Sequence, residues 1–224
     1  MKKTALITGT SMGIGKALAE TLLRHNFTVI GTNRNGDIDI NHPDFHAFKL
    51  DLSSEESIAE AYDEISEKFP LIDVLINNAG IGPDLRFEKP ERVSYNQTFA
   101  VNLTGTVFFT ETFLGLVKEG GKLLNISSKM GSISNCTSSS DSVAYRMSKT
   151  ALNMYTKTLV NRLAGKLNIA AIHPGWVQTT IMDSNLKLAP LTPQESAEGI
   201  FRFLETDYES GAFWDVEAGE KLKW

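Results

Sequence analysis

A tyrosine and a lysine that stand four residues apart could together move a proton. Tyr145 and Lys149 lie in the stretch AYRMSK, within a segment of helical periodicity. Residues four apart on a helix share a face, so the phenol and the ammonium can meet at one substrate. A positive charge about 4 Å away, at an effective dielectric near 20, is worth roughly 4 kcal/mol, which would lower a phenol pKa from about 10 to ~7. The pair predicts a proton donor beside a cation that makes it more acidic, although such a pair alone is more often a solvated helix face.

A glycine-rich turn near the start of the chain could bind a dinucleotide. The stretch LITGTSMGIGKAL stands between an apolar strand and an amphipathic helix. Glycines there let backbone amides approach a pyrophosphate, and the helix N-terminus adds unpaired N–H groups. The structural alternative, a tight turn without a ligand, is less favoured because the turn directly follows the first strand. The predicted contacts are Gly9, Ser11, Met12, Gly13, Ile14 and Gly15.

The end of the second predicted strand indicates which dinucleotide would bind. NAD-binding folds usually carry a carboxylate there for the ribose hydroxyls, whereas this chain has Thr32, Asn33 and Arg34. A guanidinium can bind a 2′-phosphate that a carboxylate would repel. Asn33 and Arg34 are therefore predicted cofactor contacts, and NADPH is favoured over NAD, against the alternative of an ordinary surface arginine.

Short apolar runs alternate with amphipathic segments along the whole chain. This alternation predicts an α/β fold, a doubly wound parallel sheet of Rossmann type with about seven strands and helices on both faces. The predicted strands are Thr4–Thr8, Phe27–Thr32, Ala47–Leu50, Asp73–Asn77, Lys122–Ile126, Ile169–Ile172 and Gly211–Val216. The predicted helices are Ile14–His25, Ser54–Lys68, Arg92–Lys118, Val143–Leu163 and Pro193–Glu205. A loop or single turn is expected between Arg34 and Leu50, and residues 1–224 are expected to form one domain.

Further polar motifs close three of these strands. INNAG ends the fourth, NISSKMG the fifth and IHPGWVQTT the sixth. Open α/β sheets bind ligands at the carboxyl edge, so these motifs should meet the glycine-rich turn there. TGTSMGIG, NNAG, Ser128 with the YxxxK pair, and PGWVQT together resemble the short-chain dehydrogenase/reductase family, in its compact single-domain branch. Details such as SSKMGSISN and PLTPQESAEGI are most similar to the C-factor and sniffer-like carbonyl reductases.

This resemblance implies roles for individual residues. Tyr145 would protonate the carbonyl oxygen, Lys149 would hold the nicotinamide ribose, and Ser128 would bind the substrate oxygen. Asn102 would hold a water in a proton relay to Lys149, although a buried structural amide is the alternative. The remaining implied cofactor contacts are Asp51 and Leu52 near the adenine, Asn78, Ala79 and Gly80 along the adenosine, and Pro174, Gly175, Val177 and Thr179 at the nicotinamide.

Composition excludes several other classes of function. The formal net charge is −5 and the sequence pI is about 5.4, which argues against nucleic acid as the main partner. The single cysteine, Cys136, cannot form an internal disulfide, and no apolar run approaches the ~20 residues of a membrane span. A cytoplasmic protein without a metal site or a membrane partner is therefore expected. By the resemblance, it would form a homodimer or homotetramer through its two long helices.

Residues 179–192 are expected to form a lid over the nicotinamide. Its apolar members, joined by residues of three other segments, predict an apolar ketone or aldehyde as the carbonyl substrate, with the corresponding alcohol as product. These residues are Ile181, Met182, Leu186 and Leu188, with Leu85, Met130 and Ile133. Only Lys129 and Lys187 are predicted to be placed to bind an acidic group, and the serine-rich segment Ser132–Ser142 should bulge over the site.

Two other functions remain open at this stage. One is a non-enzymatic regulator that keeps the dinucleotide fold, since fold does not fix function. The other is an extended-type epimerase or dehydratase acting on nucleotide sugars, which would need a longer region after Pro174. His173, Trp176 and Trp214 are interpreted as structural residues.

Overall fold

A single sheet organises the computed structural model, which describes residues 2–224. The strand order is β3-β2-β1-β4-β5-β6-β7-β8. The strands are β1 Thr4–Thr8, β2 Thr28–Asn33, β3 Phe45–Lys49, β4 Ile72–Asn77, β5 Val117–Ile126, β6 Asn168–His173, β7 Ala212–Asp215 and β8 Glu220–Lys221. Strands β1 to β7 pair in parallel, and β8 pairs antiparallel with β7. The predicted fold class is confirmed, and the short β8 is an addition to it.

Helices cover both faces of the sheet. They are α1 Gly13–Arg24, α2 Glu55–Lys68, α3 Arg92–Phe99, α4 Thr106–Phe113, α5 Val143–Arg162, α6 Asn185–Leu188 and α7 Pro193–Leu204. A π-helical turn, Ala100–Gly105, joins α3 to α4. Local sequence fixes several of the starts: Ser54 caps α2, and a Thr192–Glu195 capping box precedes α7. The connection from β2 to β3 is a loop, as the sequence predicted.

Strand residues alternate between two apolar cores. Ala5 and Ile7 pack on the side covered by α1 and α7, whereas Leu6 packs on the side covered by α2, α4 and α5. Both faces of the strands are therefore buried, which explains their nearly continuous apolar sequences.

The strand order reverses beside β1, and this reversal opens the crevice where such sheets bind ligands. From β1 the chain proceeds outward through β2 and β3, then returns to place β4 on the other side of β1. Hydrogen bonds join the ends of β1 and β4 beside this crevice. The Asn78 side-chain amide donates to the carbonyl oxygens of Thr8 and Gly9, at 2.9 and 3.1 Å. The carboxyl ends of β1 and β4 are thereby held together.

One helical run is more apolar than the sequence analysis expected. Arg92–Leu116 is long and apolar enough to span a membrane by length and composition alone, with a mean hydropathy of 1.2 over its best 18-residue window. A buried core helix meets the same criterion, so the expectation that the chain has no membrane partner stays a prediction. In the structure, Phe109 and Phe113 of this run are fully buried in the core on the α2 face of the sheet.

Candidate active site

The glycine-rich turn has the backbone conformation that the sequence predicted for a phosphate cradle. Gly9 and Gly13 have φ values of +75° and +57°, in the left-handed region that favours glycine. Met12 precedes α1, and within residues 2–224 no side chain caps the first N–H groups of that helix. Exposed N–H groups at a helix N-terminus bind anions, so this turn fits the pyrophosphate of a dinucleotide.

Gly15 is required for a different reason, which is close packing. A Cβ at this position would overlap the carbonyl oxygen of Gly9 and the side-chain nitrogen of Asn78. The same Asn78 nitrogen bonds the ends of β1 and the turn, so any displacement would open the crevice.

We expect Gly15→Ala to raise the dissociation constant for NADPH at least tenfold, because the added methyl group displaces the turn from α1. Titration of cofactor fluorescence measures this change. Gly115→Ala is the matched control, since a Cβ there would meet nothing within 4 Å. Equal NADPH affinity in the Gly15→Ala variant and the wild type would show that the turn does not form the cofactor site.

The residues predicted at the adenosine end divide into two groups. The Asn33 side chain closes its own loop, accepting from the N–H of Gly36 and donating to the carbonyl of Asp37, both at 2.6 Å. Arg34 is exposed, and its charge contributes to a lowered pKa of Asp51, after the larger effect of hydrogen bonds from Ser53. The guanidinium therefore lies close enough to influence the Asp51 carboxylate, and its contact with a 2′-phosphate stays a prediction. Leu52 is buried beside them.

The three residues predicted for the chemistry converge. Tyr145 and Lys149 lie one turn apart on α5, and the Lys149 ammonium is 5.7 Å from the centre of the Tyr145 ring. Ser128 starts a single 3₁₀ turn after β5, where its hydroxyl accepts from the N–H of Met130 at 3.1 Å, and it lies near enough to the Tyr145 hydroxyl to lower the phenol pKa. Gly131 makes this approach possible, because a Cβ there would lie 2.7 Å from the Lys149 backbone.

The electrostatics of the pair differ from the sequence-based expectation. Burial raises the pKa of Tyr145 to about 12, while the nearby Ser128 hydroxyl lowers it and the charge of Asp84 raises it further. Burial lowers the pKa of Lys149 to about 8, and its ammonium donates to the carbonyl of Ile126 at 2.8 Å. The prediction that Lys149 lowers the phenol pKa to ~7 is therefore wrong for the protein chain alone, in which the phenol stays protonated at neutral pH.

Asn102 occupies the π-helical turn, a feature that is frequent at functional sites. Its side chain accepts from the N–H of Ile81 and donates to the carbonyl of Ile81, both at 2.8 Å. A Cβ on Gly80 would lie 3.4 Å from the Asn102 oxygen and 3.5 Å from the Lys149 nitrogen, so both polar atoms border the same space. The side chain fixes the loop after β4, and the water-relay role remains a prediction.

The predicted nicotinamide segment reaches the glycine-rich turn. The Thr179 side chain lies 3.4 Å from where a Cβ of Gly13 would be. Pro174 and Gly175 follow β6 directly, and Gly175 has a φ of +90°. Val177 is buried and forms an isolated bridge with Leu191, which closes the base of the predicted lid.

Several functional neighbours were not predicted from the sequence. Buried Asp84 accepts from the backbone N–H of Tyr145, and exposed Arg86 reaches Ser184 in the lid at 2.6 Å. Arg86 is therefore a basic group beside the predicted lid, in addition to the predicted Lys129 and Lys187. Asp84 and Arg86 lie in an irregular segment, whose position a periodicity analysis does not reveal.

The three residues interpreted as structural differ in their contacts, and neither ring nitrogen of buried His173 has a hydrogen-bond partner within residues 2–224. Sheet register places Asp215 opposite His173, whose pKa is lowered by burial to about 4. Trp214 stacks on Phe203 in the core. Trp176 is exposed and donates its indole N–H to Asn185 of the lid at 3.0 Å, so it holds the lid rather than packing in the core.

The serine-rich loop, residues 132–142, borders a cavity of about 400 Å³ on the flank of α5. The cavity is lined by this loop together with Met130, Arg146, Met147 and Thr150. Backbone and side-chain groups of Ser134 donate to the carbonyl of Trp224, which anchors the loop.

Comparison with known proteins assigns this arrangement to a family. The family profile described as short chain dehydrogenase matches residues 3–189. A 3-oxoacyl-(acyl-carrier-protein) reductase of Aquifex aeolicus is 34% identical over 189 residues, covering 79% of this chain and 75% of that protein.

Two solved structures share the fold over nearly the whole of both chains. The carbonyl reductase Sniffer of D. melanogaster has a TM-score of 0.88 and 28% identity, with 100% of each chain covered. The NADPH-bound carbonyl reductase from chicken fatty liver has a TM-score of 0.89 and 26% identity, covering 100% of this chain and 99% of that one. The resemblance to sniffer-like carbonyl reductases is confirmed.

Proposed function

The chain belongs to the short-chain dehydrogenase/reductase family, and on that basis we propose that it reduces the carbonyl of a small, apolar ketone or aldehyde with NADPH. The convergence of Ser128, Tyr145 and Lys149 beside the glycine-rich turn supports this proposal. The reaction converts the carbonyl to an alcohol and is reversible.

A protonated phenol favours the direction of reduction. With a pKa of about 12, Tyr145 carries its proton at neutral pH and can donate it to a carbonyl oxygen. The Ser128 hydroxyl supplies a second donor where negative charge develops on that oxygen. The bound nicotinamide supplies the hydride, and Lys149, still largely charged at pH 7, favours negative charge on the phenol as the proton leaves.

The cofactor is a nicotinamide dinucleotide, and we assign NADPH as the preferred form, with NAD as the alternative. The glycine-rich turn fits the pyrophosphate, and exposed Arg34 follows the end of β2, where the 2′-phosphate would lie. The NADPH-bound chicken carbonyl reductase supports the same assignment.

We expect Arg34→Asp to reverse this preference, because a second carboxylate beside Asp51 would repel the 2′-phosphate. The ratio of kcat/KM for NADPH to that for NADH should fall at least tenfold, measured with one carbonyl substrate. Lys166→Asp introduces the same charge change at the opposite edge of the sheet, where the Lys166 carbonyl accepts from Gly120, and should leave the ratio unchanged. An unaltered ratio in Arg34→Asp would refute the assignment.

The lid supports an apolar substrate. Leu186 and Leu188 are 50% and 59% exposed, and Ile181 and Met182 are half-buried in the same segment. We assign residues 179–192 as the substrate lid within a single dinucleotide-binding domain that spans residues 1–224.

The activity test is oxidation of NADPH in the presence of a panel of aliphatic and aromatic carbonyls, followed by the loss of absorbance of the reduced nicotinamide. Turnover that depends on the carbonyl supports the proposal. NADPH binding without turnover of any carbonyl would favour the non-enzymatic regulator instead.

We also propose that the protein is cytoplasmic and pairs through α4 and α5 into a homodimer or homotetramer. Phe108 of α4 and Met154 of α5 are 61% and 68% exposed, which is unusual for large apolar side chains. Met147, 47% exposed, extends this apolar surface along α5. A second copy of the chain would bury these side chains.

A further inference from the structure

A carboxylate is buried at the first turn of α5 without a cationic partner. Asp84 is 1% exposed, and none of the ion pairs within residues 2–224 includes it. Its two oxygens accept from the backbone N–H of Tyr145 at 3.1 Å and from the Thr98 hydroxyl at 3.3 Å. Burial of an unpaired carboxylate is costly, so its retention at this point requires a reason.

One reason is that Asp84 caps the N-terminus of α5. Ser142, the residue before the helix, has a φ of +58° and caps none of the helix N–H groups with its side chain within the described chain. Asp84 caps the helix from another loop, because Tyr145 is the third residue of α5 and its N–H is one of the unpaired donors. A negative charge at a helix N-terminus is also favourable.

The loop that carries Asp84 is also hydrogen-bonded to the start of α5. The N–H of Ser142 donates to the carbonyl of Phe87, and the N–H of Arg86 donates to the Ser142 hydroxyl, each at 2.9 Å. Thr98, the other partner of Asp84, belongs to α3, directly before the π-helical turn. Asp84 therefore links the segments that carry Tyr145 and Asn102.

Capping alone does not require a charge, because Asn and Ser cap helices as well as Asp does. The charge matters for the phenol. Asp84 from the loop after β4 and Lys149 from α5 are the charged groups that face Tyr145, and Ser128 is the neighbouring hydroxyl. The two charges act in opposite directions on the proton of the phenol.

We infer, on the basis of the proposed reductase function, that Asp84 is a positioning residue of the active site. It fixes the first turn of α5 by accepting from the N–H of Tyr145, and its negative charge favours the phenol form that donates a proton. This charge reinforces the effect of burial, which already keeps Tyr145 in its proton-donating form, and makes the phenol harder to ionise beside Lys149.

The test separates the charge of Asp84 from its hydrogen bond. Asp84→Asn keeps the shape and an oxygen acceptor for Tyr145 but removes the charge, so the phenol pKa of Tyr145 should fall by at least half a unit. Asp84→Ser is a second neutral capping variant and should give the same direction. Asp84→Ala removes the cap as well, and its Tm should fall below those of both other variants.

Titration of the protein with ¹³Cζ-labelled tyrosine by NMR measures the phenol pKa directly, and the Tyr145 signal is identified by its loss in Tyr145→Phe. Asp141→Asn is the matched control, since Asp141 lies near the start of α5 but is paired with Arg146 at 3.0 Å. A downward shift in both neutral variants and not in Asp141→Asn supports the inference. An unchanged Tyr145 pKa in Asp84→Asn and Asp84→Ser overturns it.

This readout does not depend on turnover, so it stands even if the proposed reductase activity is absent. With an active enzyme, the alkaline limb of the kcat/KM profile should move to lower pH in Asp84→Asn by the same amount as the phenol pKa. A purely structural Asp84 would change Tm without moving that limb.

Discussion

Replacing Tyr145 with phenylalanine should lower kcat/KM for carbonyl reduction by about three orders of magnitude, because removal of a general acid costs typically 10²–10⁴ in rate. The variant keeps the aromatic ring, so the packing of α5 against the loop after β4 is preserved. The Ser128 hydroxyl remains but cannot replace the phenol, since an aliphatic alcohol is a weaker acid than a phenol. The dissociation constant for NADPH should change by no more than about threefold.

Tyr95→Phe is the control for this experiment. Tyr95 is half-buried on α3 and stacks on Phe99 with ring centres 4.6 Å apart, a contact that phenylalanine retains. Activity of the control should equal that of the wild type. A Tyr145→Phe enzyme that still reduces carbonyls at more than a tenth of the wild-type rate would remove Tyr145 from its proposed role.

Helices and strands that follow from local periodicity were predictable from the sequence. Strand β1 was predicted with its exact bounds because TALIT is apolar on both faces and ends in a glycine-rich turn. Helix α5 was placed within one residue, and with it the juxtaposition of Tyr145 and Lys149, because residues four apart on a helix share a face. These predictions need only local periodicity.

Features that depend on long-range contacts were not predictable. Asp84 lies 61 residues before Tyr145, in a segment without periodicity, and its cap on α5 exists only after the sheet brings β4 and β5 together. The π-helical turn has an ordinary helical sequence, and strand β8 has only two residues. The carboxylate opposite His173 likewise follows from the register of β6 and β7.

The pKa of Tyr145 could not be predicted from Tyr145 and Lys149 alone. From Tyr145 and Lys149 alone, charge attraction dominates and predicts a low phenol pKa. The structure adds burial and the charge of Asp84, both of which raise it, and bonds the ammonium to the Ile126 carbonyl. Desolvation cannot be read from two residues in a sequence, because it depends on what the rest of the chain packs around them.

The second large effect is expected from replacing Lys149, whose ammonium is buried. Lys149→Met should lower kcat/KM at least 100-fold at pH 7, comparable to the loss of a single oxyanion-hole donor, since it removes the cation that favours proton transfer from Tyr145. It should also change how stability depends on pH. Lys149 is 4% exposed, and its pKa of about 8, instead of 10.5, corresponds to a cost of about 3 kcal/mol for burying the charge.

The sign of the pH effect follows from proton binding. Below pH 8 the folded and unfolded chains both hold the Lys149 proton, and the cost is fully present. Between pH 8 and 10.5 the folded chain loses this proton while the unfolded chain keeps it, so the wild type gains stability that Lys149→Met cannot gain. From pH 7 to pH 9.5 the free energy of unfolding of the wild type should rise by about 2 kcal/mol relative to the variant.

Urea unfolding at these two pH values measures that difference, and comparison between variants cancels the titration of the remaining groups. Exposed Lys166 provides the control, since Lys166→Met should follow the wild type at both pH values and keep full activity. Loss of activity without the stability change would mean that the Lys149 ammonium is solvated in the folded chain. In that case the ammonium would keep its ordinary pKa near 10.5, and solvent would weaken its effect on Tyr145.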